Sequence, residues 1–292
     1  MKLFSYLSPF LYPKIITRIK RSVLKNIVLC VFCVSICASV FAQDETENWE
    51  TYLASYENGK PGSTTVRMDM IEKAPIEGHN YVVITGVNYK SGRKDGLPEN
   101  DATFNELHTI ANALKTLLNK ETDVVAVGAF TYNFEHLEYF YLKSDAGIKE
   151  KIEAFYITNY PDKTYYLNIE EDKKWERYTT FLYPNAITQN YMTDVRLVNA
   201  LKAEGDNLKK ARRVDHWMYF RTKEDLDRFK ETIQTLNFKI EFSGSKGVAK
   251  FPYSLQFYKY SKVDMNTINA ITTSLVEMTK NYNATYDGWE TK

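Results

Sequence analysis

His136 and Glu138 stand two apart in the stretch NFEHLEY, 133–139. On a strand, residues two apart share a face, so alternation groups His136 with Phe134, Glu138 and Phe140. An imidazole beside a carboxylate can ligate a metal or move a proton. The more ordinary outcome of such a pair is a satisfied polar contact, and that reading carries the greater weight. His216, next to Asp215 in VDHWMY, is the second histidine in a strand-like setting; His79 and His108 complete the set of four. Ser91 to Lys94 spell S-x-x-K, the spacing of a serine nucleophile and its base, but the companion motifs are absent and a loop surrounds it. The glycine-rich, basic stretch SGSKGVAK, 243–250, lacks the full phosphate-loop pattern and reads as a hairpin connection. Asp95, Glu99 and Asp101 cluster near DGLP and could hold a cation; acids at a turn and a helix start explain them more simply. The chain has no H-E-x-x-H, G-x-S-x-G or G-x-G-x-x-G motif. No catalytic residue, metal site or cofactor is therefore expected.

These residues need elements to position them, and the pattern divides into two α+β halves. In the first, 49–57 and 63–70 read as strands around Gly59-Lys60-Pro61-Gly62. YVVITGVNYK, 81–90, is a strand whose Val/Ile run predicts burial on both faces. An amphipathic helix follows from Thr103, with Thr103 and Glu106 spaced as a capping box and Phe104, Leu107, Ile110, Ala111, Leu114 and Leu118 as its stripe. Two strands meet near Tyr132-Asn133. A second helix stops at Pro161, and KTYYLNIE and KWERYTTFLY are expected to form a hairpin around Glu171-Asp172. The segment YPNAIT, with Pro184, is the expected boundary.

The second half opens on a helix in YMTDVRLVNALKAEGDNL. Strand, helix, two strands and a final helix follow, the skeleton of a split βαβ, ferredoxin-like sandwich. The basic cluster KKARR, 209–213, is expected at a helix end, where cations complement the dipole. The fold class is thus α+β, with two domains at 47–184 and 189–290. Each is an antiparallel or mixed sheet with helices packed on it.

Composition sets limits. Of 292 residues, 44% are hydrophobic, 26% charged and 14% aromatic, which favours a folded protein with aromatic-rich strands. Residues 1–42 carry six basic residues and no acid, then an apolar run from Ile27 to Ala42. Val40 and Ala42 occupy the −3 and −1 positions for cleavage before Gln43. This is the three-part pattern of a signal peptide, and the run is shorter than the roughly 20 residues of a membrane span. Cleavage after Ala42, with a periplasmic or secreted product, is expected; an uncleaved membrane anchor is the rival. The long basic region also leaves room for a start codon downstream. Cys30, Cys33 and Cys37 all fall in this segment, so the mature chain would have no disulfide, thiolate metal site or cysteine nucleophile. It would hold 32 basic residues against 37 acids, about −5, without the basic face of a nucleic-acid binder.

The chain closes on NATYDGWETK, 283–292, with the motif YDGWE at 286–290. Gly288 is placed to turn the chain after the last helix, and Trp289 to fold back with Asp287 or Glu290 accepting its N–H. An exposed contact patch is the other reading. With DHWMYF at 215–220, FKIEF after a helix and the aromatic strand at 253–260, this tail resembles the regulator of ribonuclease E activity B family over about 189–290. Members end in Gly-x-Tyr-Asp-Gly-Trp-Glu, and here Asn283 or Ala284 stands in place of the first glycine. The first half resembles a family of unknown function, number 695, through W-x-x-Y-x-A-S-Y-E-N-G-x-P-G from Trp49 to Gly62, EKAPI at 72–76 and DGLP at 95–98. That family implies no activity. The first resemblance implies regulation by protein–protein contact, since such domains inhibit a ribonuclease by touching it. The expectation is an exported, non-enzymatic binding protein whose partner is an envelope protein, peptide or glycan, a protein being favoured. Asp215, His216, Tyr286, Asp287, Gly288, Trp289 and Glu290 are its candidate contact residues. Direct contact with nucleic acid, or with a membrane after cleavage, is not expected. The alternatives are a cytoplasmic ribonuclease E inhibitor with a misassigned start, and an envelope hydrolase using His136 and nearby acids.

Overall fold

The computed structural model describes residues 47–56 and 59–291. The expected signal segment 1–42, with its three cysteines, lies outside them. Ten strands and five longer helices form two antiparallel sheets within one compact unit.

The first sheet takes its strands in the order β1 (Trp49–Ser55), β2 (Pro61–Arg67), β4 (Val124–Tyr132), β5 (Glu135–Leu142), β3 (Tyr81–Asn88), β6 (Tyr165–Glu171). β3 is flanked on both sides, and its run from Val82 to Val87 is buried throughout, as its composition requires. One face packs Val83, Val87, Phe140 and Leu142 against helices α1 (Asp101–Glu121) and α2 (Ile148–Asn159). The stripe Leu107, Ile110, Leu114 and Leu118 of α1 is buried there. The start of α1 differs from the expected capping box. Asn100 is the N-cap, and its side chain accepts from the Thr103 amide.

The opposite face buries Tyr52, Val66, Val82, Tyr139 and Tyr141 beneath Trp175, Tyr178 and Leu182. These last residues were expected on a strand. Tyr178 and Leu182 instead lie in a π-helical turn over Arg177–Leu182, and Trp175, at φ 57°, comes just before it. Asp172 fixes it: its carboxylate accepts from the Glu176 and Arg177 amides and from the Tyr141 hydroxyl. Burial opposes ionisation of Asp172, but these three donors outweigh it and hold its pKa below the usual range. Trp175 stacks on Tyr141 at 4.0 Å and donates its indole N–H to the His79 carbonyl.

The second sheet is built on β-α-β-β-α-β: β7 (Arg212–Phe220), α4 (Lys223–Thr235), β8 (Lys239–Gly244), β9 (Tyr253–Ser261), α5 (Met265–Met278) and β10 (Ala284–Thr291). Its order is β10-β7-β9-β8, entirely antiparallel. Helix α3 (Ala186–Ala203) precedes it and packs on α5. Two expectations are corrected here. KKARR is not a helix end: α3 stops at Ala203, and Arg212 and Arg213 open β7, paired with Asp206 and with Asp215 and Glu241. The tail YDGWE is not a turn off the last helix but part of a strand. Asn283, at φ 44°, reverses the chain, and Gly288, at φ 122°, absorbs a β-bulge opposite Met218 and Trp217.

Candidate functional site

Of the seven residues expected to make contacts, five sit wholly or partly inside the C-terminal sheet. His216 is fully buried between Phe238, Phe257 and Tyr286, and its Nδ1 shares a 2.8 Å hydrogen bond with the Tyr286 hydroxyl. Burial drives its pKa down to about 3, so the ring is neutral at ordinary pH. Asp215 is held by Arg213 at 2.6 Å and by Gln256. Gly288 lies in the bulge. Trp289 is 6% exposed, and its indole N–H reaches neither Asp287 nor Glu290. It donates to Asp194 Oδ1 at 2.8 Å. The other oxygen of Asp194 accepts from Thr272, Asn269 and Asn190 at 2.6, 3.1 and 3.3 Å. This fully buried carboxylate on α3 ties α5 and β10 together. Only Asp287 and Glu290 are exposed, on an edge strand. Beside them a groove of about 430 Å³ runs between β10, α3 and Phe251.

Histidine chemistry is laid out differently in the N-terminal sheet. His136 and Glu138 lie on one face of β5, as alternation requires, with His136 Nε2 3.0 Å from Glu138 Oε1. Phe134 does not join them; it occupies the tip of the β4–β5 hairpin at φ 68°. The strand opposite supplies Thr131, whose hydroxyl meets His136 Nδ1 at 2.7 Å. Both ring nitrogens are thus engaged, in a relay from hydroxyl to imidazole to carboxylate. Register extends this face to the sheet edge. One row runs Leu53, Ser63, Thr131, His136, and the next runs Thr51, Thr65, Ala129, Glu138. Thr51 and Thr65 share a 2.9 Å hydrogen bond.

Helices α1 and α2 cover the β3 side of this face and leave the β1–β2 side open. Phe104, His108, Asn112 and Lys115, one per turn on a second stripe of α1, overhang it. The result is a groove of about 420 Å³, walled by Trp49 and Phe104 and floored by Ala126, Ala129 and the two hydroxyl rows. A further space of about 320 Å³ continues it past Leu97 and Pro98 of DGLP.

The DGLP loop is itself a rigid wall. Gly96 takes φ 79°, and a Cβ there would meet the Asn133 Cα at 2.8 Å, so the hairpin tip needs glycine to dock. Ser91, the proposed nucleophile of S-x-x-K, spends its hydroxyl on the Leu97 carbonyl. Arg93 pairs with Asp95 and holds its carboxyl down to about 2, and Glu99 accepts from the Gly92 amide. Asp95 and Glu99 therefore brace the loop, and Asp101 stands in the first turn of α1. Among the described residues no group of three or more His, Cys, Asp or Glu could hold a metal ion. SGSKGVAK connects β8 to β9, and no helix among the described residues is long and apolar enough to cross a membrane.

Sequence reasoning missed Asp194 and the groove. Asp194 carried a signal, an acid on the same helical stripe as Val198 and Leu201. The groove's signal was the hydroxyls alternating along 49–55 and 61–67.

Residues 47–183 match a family of unknown function, DUF695, and residues 193–291 match the family Regulator of ribonuclease activity B. No curated protein matches the chain. Trp49, Leu97 and Pro98, which line the groove, fall in the first match, and the Asp194–Trp289 cluster falls in the second. The N-terminal half of the chain thus resembles the one family, and its C-terminal half the other.

Proposed function

We propose that this chain is an exported, non-enzymatic regulator that works by protein–protein contact through its C-terminal domain. The observation that carries the reading is the match of residues 193–291 to Regulator of ribonuclease activity B. The chemistry of that domain agrees with it. His216 and Asp194, the two groups best suited to catalysis, are buried and engaged in internal hydrogen bonds. What faces solvent is an acidic edge, Asp287 and Glu290 on β10, beside the groove bounded by α3 and Phe251. A basic or strand-forming segment of a partner protein suits such an edge.

Export rests on the basic, apolar and small-residue pattern ending at Ala42. It argues for a periplasmic or secreted partner and against ribonuclease E itself. N-terminal sequencing of the mature protein tests it, and a mature chain retaining Cys30 would end the cleavage claim. Function is tested by chemical cross-linking in cells followed by capture, comparing the parent with Asp287→Arg/Glu290→Arg. Loss of a cross-linked protein, with an unchanged melt, supports the reading. Retention of the same partner by the double variant would count against this edge as the contact.

The hydrolase reading retains one specific observation, the Thr131–His136–Glu138 relay. Esterase activity that disappears in His136→Gln, without loss of fold, would favour it instead.

A further inference from the structure

We infer that β10 accepts an extended, basic segment of a partner protein as a fifth strand, a mode that rests on the contact role proposed above and makes it specific. β10 closes the order β10-β7-β9-β8, so its outer edge pairs with no strand. Its backbone is set for one. Asn283 accepts the Arg221 amide on the β7 side, and antiparallel alternation then turns the N–H and C=O of Ala284 and Tyr286 outward. The helix layer also reaches past the strands. α4 lies on β7, β8 and β9, α5 lies on β10, and α3 packs beside α5 as a third helix. Helices pack about 8–10 Å apart and strands about 4.8 Å, so two helices already span four strands. α3 therefore overhangs the free edge. The groove of about 430 Å³ is the space between them, with Ala186, Gln189 and Asn190 on the helix side and residues 284–288 on the strand side. At about 3.4 Å per residue, that stretch offers an edge of about 17 Å. A Cβ at Gly288 would meet nothing within 4 Å, so the bulge end is open.

Charge selects the occupant. Among the described residues no Lys, Arg or His lines this groove. Asp287 does, and its carboxylate meets only the Tyr219 hydroxyl at 3.3 Å. Glu290, exposed on the same edge, is in no ion pair among the described residues. Two cations touch lining residues from outside. Arg196 is paired with Glu50, and Arg221 lies over the Phe251 ring, at the Asn283 end rather than the bulge end. The helix wall adds acceptors. Gln189 donates to the Pro184 carbonyl, and Asn190 to Asp194 and Thr272, while neither side-chain oxygen accepts a hydrogen bond among the described residues. Free acceptors beside unpaired carboxylates call for donors that carry positive charge. Two copies of this chain joined edge to edge would instead bring like carboxylates together. A strand with Lys or Arg at the bulge end meets both needs, its main chain bonding to β10 and its alternate side chains entering the groove.

The test pans a displayed library of random nonapeptides against the full chain and synthesises the tightest peptide recovered. Recovered peptides are expected to carry Lys or Arg. The tightest should slow amide exchange at Ala284 and Tyr286. N-methylation of its alternate amides should weaken it at least ten-fold in one phase, odd or even, and little in the other. Asp287→Lys and Ala186→Trp, both at exposed positions, are each expected to weaken it at least ten-fold, with thermal melts matching the parent. Strand addition is overturned by an empty selection, by recovery of acidic or neutral peptides alone, or by unchanged exchange at the two amides. Equal tolerance of N-methylation in both phases, or unchanged affinity in both variants, overturns it as well. The contact role fails separately. If the peptides fail while Asp287→Arg/Glu290→Arg still loses its cross-linked partner in cells, the edge remains the contact and only the strand mode falls. A partner retained by that double variant counts against the contact itself.

Discussion

At the scale of single residues, two buried side chains carry most of the C-terminal chemistry. Trp289→Ala removes a ring that is 6% exposed and strips Asp194 Oδ1 of its donor. A loss of about 3–5 kcal/mol is expected in urea unfolding. Trp289→Phe keeps most of the packing and removes only the N–H, so a loss of roughly 1–3 kcal/mol is expected. A Trp289→Phe variant as stable as the parent would show that the hydrogen bond adds nothing. His216 predicts a pH dependence. Its folded pKa, down to about 3, lies below the unfolded value, so the unfolded chain takes up a proton that the native protein refuses. Stability should fall as pH drops below about 6.5, by roughly 2 kcal/mol at pH 5. His216→Gln should lose less between pH 7 and pH 5 than the parent by about that amount. Burial of Trp289 was legible in the sequence from its place after an amphipathic helix. Its acceptor was not, because Asp194 lies 95 residues upstream. Spacing cannot reveal a partner that only tertiary packing supplies.

At the scale of elements, periodicity succeeded where one face dominates and failed where two signals compete. The buried run of β3 and the leucine stripe of α1 are unambiguous. KWERYTTFLY mixes aromatic and β-branched residues, which favour strands, with the spacing Trp175, Tyr178, Leu182, which favours a helix. Asp172 decides between them by supplying an acceptor to two free amides at the start of the turn. Asp172→Ala should therefore cost about 2–4 kcal/mol, since it also orphans the Tyr141 hydroxyl. Asp172→Asn, which keeps one oxygen acceptor, should cost less. Denaturant midpoints for the pair check this, and identical midpoints would remove Asp172 as the determinant. The groove was missed for a related reason. His136 and Glu138 share a face by local alternation, but Thr131, Ser63 and Thr65 reach them only through cross-strand register.

At the scale of the whole molecule, each resemblance covers one sheet, yet the packing crosses between them. Met192 of α3 enters the core beneath the first sheet, and Arg196 pairs with Glu50. The fragment 186–292 retains all of its own sheet and both helices that cover Asp194, and a cooperative melt is expected from it alone. The fragment 47–185 loses Met192 and should melt below the full chain. Failure of both fragments to unfold cooperatively would argue against two independent domains. The strand order β10-β7-β9-β8 has a consequence in time as well as in space. β7 pairs on one side with β9 and on the other with the strand farthest from it in sequence, and closing that longer loop costs more chain entropy. The β7–β9 pair and α4 should therefore assemble first, with β10 docking after the rate-limiting step. In stopped-flow experiments Trp289→Ala should then leave the refolding rate nearly unchanged and appear almost entirely as faster unfolding. The lifetime of the native domain, rather than the speed at which it forms, would rest on the bond between Trp289 and Asp194.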